Sequence, residues 1–342
     1  MKVLNKFNKM RYLLYTLGFF LLIGCDKEPE ATYIEGNALG TTYHIIAYDK
    51  QSIRDFTKRV DSVFNAVNQS ISTYVESSGI SKINRGDTSV VIDKMFRDNL
   101  KFSKEIHSKT KGYFDPTVGN IVNLYGFGAE KLTKEIDSSV VDSMMQYVGI
   151  EKVTLEDNRI KKEIPNIYLE FNAIGKGYAV DKVAAFLKAQ NIENFLVEVG
   201  GEIYAQGKNM ASNKKWRVGI DNPLQKDDKR EISSVIALQN KAMATSGNYR
   251  KFRIDSVTGQ KYVHTINPKT GFPNKTKILS ATVIAQNCAL ADGYATAFMA
   301  MGLAEAKQII KDINAIEVLL IYDDNGELKN FSTKGFETLS VD

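Results

Sequence analysis

Residues able to do chemistry gather in a few short segments of this chain. Leu169-Glu170-Phe171-Asn172-Ala173-Ile174 leads into Gly175-Lys176-Gly177-Tyr178. A strand that runs through a glycine-flanked lysine into a helix offers close backbone approach, a cation and helix N-terminal amides, all suited to phosphate. The segment lacks the third glycine of a dinucleotide fingerprint and the spacing of a P-loop, so it fits neither. In Ala291-Asp292-Gly293-Tyr294-Ala295-Thr296-Ala297, Asp292 and Thr296 stand four apart and share one face of a helix. A carboxylate, a hydroxyl and a nearby backbone carbonyl make the hard-oxygen set that suits magnesium. Each segment also has a plainer reading. The first is then a strand–turn–helix junction, and the second an N-capping Asp292 with Thr296 bonded back to its own helix.

Thr245-Ser246-Gly247-Asn248-Tyr249 is followed by His264-Thr265-Ile266-Asn267-Pro268-Lys269-Thr270-Gly271. The latter reads as a strand ending in a tight Asn-Pro-x-x-Gly turn. That places His264 at the strand's end, where a titratable group reaches a site. His44 and His107 read as structural, one on an alternating strand and one on a polar helix face. Phe114-Asp115-Pro116-Thr117-Val118-Gly119 and Val197-Glu198-Val199-Gly200-Gly201-Glu202 read as turns. The chain holds no Ser/His/Asp nucleophile motif and no metal-spaced Cys/His set.

These residues need elements to hold them. Residues 32–48 are strand-like, with Tyr43, Ile45 and Ala47 alternating against Thr42, His44 and Ile46. Ile53, Phe56, Val60, Val63, Phe64 and Val67 fall at helical spacing. Further helices are expected over 92–109, after Gly175, and over 289–301 and 304–313. Strands are expected at 195–199, 216–220, 233–238, 262–266 and 279–285, with a terminal hairpin turning at Asn325-Gly326. Strands in neighbouring runs with helices interspersed irregularly favour an α+β fold, with a mostly antiparallel sheet core flanked by helices and room for two lobes.

Of 342 residues 43% are hydrophobic and 10% aromatic, which supports a packed core over disorder. The net charge of +5 is concentrated at the start. Lys2, Lys6, Lys9 and Arg11 precede any acid, leaving 41 basic against 40 acidic residues in the rest. So balanced a remainder argues against nucleic acid as a partner. The basic stretch and the apolar run 12–23 form a targeting segment too short to span a bilayer comfortably. Its end, Leu22-Ile23-Gly24-Cys25, resembles the lipobox of bacterial lipoproteins. In such signals cleavage precedes the cysteine, which carries the acyl chains. Residues 1–24 are then a signal peptide, 25–31 a lipidated tether and 32–342 the functional domain. An uncleaved anchor helix is the alternative, and either way the bulk is exported and tethered to a bacterial membrane, inner or outer. Several acyl chains make a stable tether. With Cys25 consumed by lipid, Cys288 has no disulfide partner and reads as a small buried hydrophobe.

Taken in order, the segments resemble the FAD:protein FMN transferase (ApbE) family. The likeness runs through Leu39-Gly40-Thr41, Ser72-Thr73-Tyr74 with Ser81 and Asn84, and Phe114 to Gly119. It goes on through Tyr125-Gly126-Phe127-Gly128, Gly175 to Asp181, Glu198 to Glu202, Thr245 to Tyr249, His264 to Gly271, and Ala291 to Ala297. The resemblance implies Mg2+-dependent transfer of FMN from FAD to a threonine or serine hydroxyl of an acceptor protein, with AMP released. It implies that Ala173 (through its carbonyl), Asp292 and Thr296 hold Mg2+. It implies that Leu39, Tyr74, Phe114, Asp115, Glu170, Lys176 and Ile266 line the FAD site. Leu39 stands where the family often has methionine, an exchange of one apolar contact for another. His264 is the candidate general base, because its unperturbed pKa of about 6.5 needs little adjustment. The implied acceptors are subunits of membrane redox complexes. Two other functions stay open: a FAD pyrophosphatase that uses the same site to yield FMN and AMP, and a non-catalytic flavin-binding lipoprotein, which has no need for Asp292 and Thr296 beside a diphosphate.

Overall fold

A computed structural model of the chain describes residues 30–49, 55–130, 136–225, 231–247, 252–254, 261–263, 265–274 and 276–341. Cys25 and His264 lie outside them. The strands are β1 (Glu30–Ala38), β2 (Thr41–Asp49), β3 (Val153–Glu156), β4 (Arg159–Lys162), β5 (Asn194–Val199), β6 (Glu202–Gln206), β7 (Trp216–Asp221), β8 (Ile232–Leu238), β9 (Lys241–Gly247), β10 (Phe252–Ile254), β11 (Lys261–Val263), β12 (Ile278–Ala285), β13 (Glu317–Asp324) and β14 (Glu327–Ser332). The helices are α1 (Phe56–Ile71), α2 (Gly79–Asn84), α3 (Lys94–Lys109), α4 (Gly119–Leu124), α5 (Ser138–Met145), α6 (Gly175–Ala189), α7 (Cys288–Met299), α8 (Leu303–Asp312) and α9 (Lys334–Glu337).

Eight strands form one antiparallel sheet in the order β1-β2-β5-β6-β9-β12-β13-β14. Its two faces follow the period-two alternation of the sequence. Tyr43, Ile45, Ala47, Phe195, Val197, Val199, Ala242, Ala244, Val318 and Leu320 point into the main core, which α1, α3, α6, α7 and α8 cover. Their neighbours Tyr48, Ile203, Ala205, Met243, Ile284, Leu319 and Ile321 face the other way, against the β7–β8 hairpin and Phe336 of α9. A satellite cluster joins α4 and α5 to Ile266. The α+β architecture expected from the sequence is therefore present.

Several local expectations need correction. The strand expected over 32–48 is a hairpin that begins at Glu30, so Glu30 and Ala31 belong to the sheet rather than to a tether. Leu39 and Gly40 form its two-residue turn, both at positive φ, and Leu39 has φ 53°. A left-handed leucine costs about 1–2 kcal/mol, so no turn signal marked it. The strand expected over 262–266 is split. Lys261–Val263 pairs with Phe252–Ile254, while Ile266 bridges to Pro273 across the Asn267–Gly271 turn. That turn closes through the Gly271 amide on the Asn267 carbonyl at 2.8 Å, and Gly271 takes φ 75°. The Asn325-Gly326 turn is present as expected, with both residues at positive φ.

The sheet brings the chemistry-bearing turns to one end. The β1–β2 turn, the Gly200-Gly201 turn between β5 and β6, the last residues of β9 and the first of β12 are neighbours there. The Gly200 amide bonds the Thr42 carbonyl at 3.1 Å, tying two of these turns together. α6 starts at this end, and α7 runs toward it.

Candidate active site

Lys176 occupies the first turn of α6, and Glu202 opens β6 on the helix-covered face. Their side chains meet at 2.6 Å, Lys176 Nζ to Glu202 Oε1. Asp292 projects from the middle of α7 and brings Oδ1 within 3.8 Å of the same ammonium. Asp292 does not cap its helix. Asn287 does, accepting from the Leu290 amide at 2.9 Å, so the N-cap alternative for Asp292 fails. Oδ2 of Asp292 instead accepts from the Gly177 amide at 3.0 Å.

Gly177 stands in the first turn of α6, where backbone amides have no partner within the helix, and Asp292 supplies one. Close packing makes the arrangement possible. A Cβ on Gly177 would lie 2.3 Å from the Cys288 carbonyl oxygen and 2.8 Å from Asp292 Cβ, so only glycine lets α6 and α7 approach here. Asp181, also on α6, fixes the start of α7 by accepting the Cys288 and Ala289 amides at 2.7 and 2.9 Å. Thr296, one turn beyond Asp292, lies 3.4 Å from the Ser246 hydroxyl at the end of β9.

Electrostatically the cluster is short of positive charge. Two buried carboxylates face one ammonium whose side chain keeps 30% of its surface open. Glu202 Oε2 is buried with no hydrogen-bond partner. Burial pushes the Glu202 carboxyl up to about 7, with Lys176 pulling it down and Asp292 pushing it further up. Burial likewise raises Asp292 against the pull of Lys176 and the Gly177 amide. For Lys176, burial favours the neutral form, but the two carboxylates outweigh it and hold the ammonium charged. The raised carboxyls and the charged lysine pull in opposite directions, and geometry decides between them. The 2.6 Å contact suits an ionised Glu202 against the charged lysine, and with Asp292 also ionised the site is net negative, a charge that a cation or a proton would neutralise.

Glu170 lies in the segment leading to α6. Its amide donates to the Pro116 carbonyl at 2.8 Å, and its carboxylate accepts from Asn172 Nδ2 at 3.1 Å. Burial raises it to about 7, partly offset by Asn172. Asn84 holds this segment through both Leu169 backbone groups, at 2.8 and 2.9 Å. Tyr74 is 63% exposed and donates to the Phe127 carbonyl at 3.3 Å. Its hydroxyl is raised by partial burial and by the field of Glu170. Leu39, at its hairpin tip, packs against the main core.

Asp115, Phe114 and Ile266 are more deeply embedded. Asp115 accepts from the Thr117 amide and hydroxyl at 2.9 and 2.5 Å and from the Ile150 amide at 3.0 Å. Its carboxylate thus shapes the loop between α3 and α4. Phe114 and Ile266 are buried in the main and satellite clusters. His107, read as a polar-face residue, is half-buried. Its Nδ1 lies 2.9 Å from the Phe114 carbonyl and 3.4 Å from Asp115, and the Asp115 contact raises its pKa. His107, Asp115 and Glu151 bring ligand-type atoms within 4.8 Å of one another. His44, by contrast, pairs with Glu198 at 2.8 Å on the sheet's other face.

Sequence reasoning missed Glu202 as a site residue, because Gly200-Gly201-Glu202 reads as a turn. A buried acid directly after paired glycines was its only signal.

The chain is similar to known proteins over most of its length. A model of the ApbE family matches residues 39–320, which spans every turn gathered at the site. The FAD:protein FMN transferase of Haemophilus influenzae is 34% identical over 331 residues, 93% of this chain and 94% of the relative. That of Vibrio cholerae is 33% identical over 332 residues, 95% and 98% of the two chains. The solved structure of the flavin transferase ApbE from Vibrio cholerae superposes with a TM-score of 0.80 at 32% identity, covering 91% of this chain and 99% of that one. With the fold, the collinear motifs and near-full-length likeness in agreement, the chain belongs to the ApbE family.

Proposed function

We propose that this chain transfers FMN from FAD to a threonine or serine hydroxyl of an acceptor protein, releasing AMP and forming a phosphoester. The observation that carries the reading is the Lys176–Glu202–Asp292 cluster at the head of α6, short of one positive charge. The names of its relatives, FAD:protein FMN transferases, support the same reaction.

The donor set fits a magnesium ion. Asp292, Thr296 and the Ala173 carbonyl offer hard oxygens, and Asp292 and Thr296 stand one turn apart on α7. When bound, the ion would neutralise pyrophosphate charge as the linking bond breaks. The chain's own residues do the rest. Lys176 faces the diphosphate with a charge that Glu202 and Asp292 hold in place, so little reorganisation is needed as negative charge develops. The first turn of α6 adds the positive end of a helix dipole. Glu170 and Tyr74, with Leu39, Phe114, Asp115 and Ile266, are proposed to shape the flavin and nucleotide pocket. Asp115 would act through the loop it ties. His264 is proposed to take the proton of the acceptor hydroxyl, set in line with the bond that breaks.

Cys25 is proposed as the lipid-bearing residue of an exported, membrane-anchored protein, on the strength of the sequence before it. Among the described residues no helix is long and apolar enough to cross a membrane. Subunits of membrane redox complexes are the proposed acceptors.

Purified protein incubated with FAD, with and without Mg2+, and with a flavin-acceptor domain tests the reaction. Metal-dependent AMP release together with covalent flavin fluorescence on the acceptor is expected. AMP and free FMN with an unlabelled acceptor would instead identify a pyrophosphatase. Bound FAD with no AMP would identify a binding protein.

A further inference from the structure

We infer that the end of the sheet remote from the Lys176–Asp292 site is a docking surface for anionic phospholipid. The inference rests on the lipidation of Cys25 proposed above.

β1 fixes where the chain enters. Glu30 pairs with Asp49, and Tyr48 pairs in turn with Asn194, so the first described residue lies at the end opposite the Leu39-Gly40 turn. Only residues 26–29 separate Cys25 from Glu30. The five steps from Cys25 to Glu30 span at most about 18 Å however they are arranged. A bilayer that holds the acyl chains of Cys25 must therefore lie close to this end. The eight steps of β1 set the Leu39 turn about 27 Å further away. The site then opens away from the membrane.

One loop at the near end suits anionic headgroups, although the β1–β2 pair Glu30 and Asp49 at the same end is acidic. The loop 207–215 between β6 and β7 carries Lys208, Lys214 and Lys215 and no acid. All three lysines are exposed, and Met210 between them is 38% exposed. The loop is held in place rather than loose. Asn209 accepts from the Tyr48 hydroxyl at 3.0 Å, and its amide reaches the Lys214 carbonyl at 2.9 Å. Beside it a polar cavity of about 590 Å³ is lined by Lys188, Asn194, Gly207 and Lys208, with Glu193 as its acidic member. Clustered lysines around an exposed apolar side chain are what a negatively charged membrane surface attracts.

The test uses the full chain isolated from membranes. It would be reconstituted into vesicles of phosphatidylcholine with phosphatidylglycerol, into pure phosphatidylcholine vesicles, and into detergent. Lysines are then acylated with a water-soluble reagent and read by mass spectrometry, and the N-terminal peptide is weighed in the same run. Lys208, Lys214 and Lys215 should lose labelling on the mixed vesicles and regain part of it on phosphatidylcholine. Lys277, beside the start of β12 at the site end, should label equally in all three. Equal labelling of the loop lysines, with lipid present on Cys25, would overturn the docking surface alone. Protection of Lys277 in place of the loop would overturn it as well. An N-terminal peptide without lipid would overturn the anchoring reading and this inference with it.

Discussion

Lys176 on α6 and Glu202 on β6 form a 2.6 Å ion pair between a helix start and a strand start, 26 residues apart in sequence. Neither residue is placed by its own neighbours. The pair forms because α6 packs across β6 with the helix mouth over the Gly200-Gly201 turn.

Removing the ammonium should expose how the cluster is balanced. Lys176→Met leaves two buried carboxylates without a cation, and breaking a buried pair in this way costs about 3–5 kcal/mol. Denaturant unfolding at neutral pH should show a loss of that order. The loss should shrink in mild acid, where Glu202, raised to about 7, takes up a proton. Equal losses at both pH values would show that Glu202 is already neutral in the native protein.

Asp292→Ala should abolish metal-dependent turnover, lowering it about 100-fold or more, because it deletes the only carboxylate of the proposed donor set. Magnesium titration of AMP release would measure it, with circular dichroism confirming the fold. Near-normal transfer by this variant would sink the metal assignment.

Gly177→Ala tests the close approach of α6 and α7. Its Cβ would fall 2.3 Å from a backbone carbonyl that cannot swing aside. Overpacking of this kind costs about 1–3 kcal/mol, and the shift should also disturb the Asp292 bond to the residue-177 amide. Unfolding midpoint and magnesium affinity should therefore fall together.

Glu170 should give stability a pH dependence. Its carboxyl is raised from 4.5 to about 7 by burial, so the folded state binds the proton more tightly than the unfolded chain. The resulting stabilisation is complete below about 4.5 and is lost as pH rises through about 7, at most about 3 kcal/mol. Unfolding free energies across that window should show a slope that Glu170→Gln flattens. An unchanged slope would assign the titration to another group.

Much of this site is legible in the sequence because its parts are local. Asp292 and Thr296 share a helix face by their spacing, Lys176 is marked by flanking glycines before a helix, and the core face of β2 follows the alternation of Tyr43, Ile45 and Ala47. Those signals depend only on backbone periods. The turn at Leu39 was hidden, since nothing in an apolar residue announces a left-handed backbone. The role of Glu202 was hidden as well. Its burial depends on which face of the sheet β6 presents and on what helix lies over that face, which register and packing decide between distant segments. The same holds for His107, whose contact with Asp115 arises where the end of α3 meets the loop after it. The sequence by itself determined that Asp292 and Thr296 share one helix face and that Lys176 stands at a helix start. Only the tertiary structure decided that one ammonium serves two buried carboxylates, because unlike a helical face, that ratio is set by packing across elements.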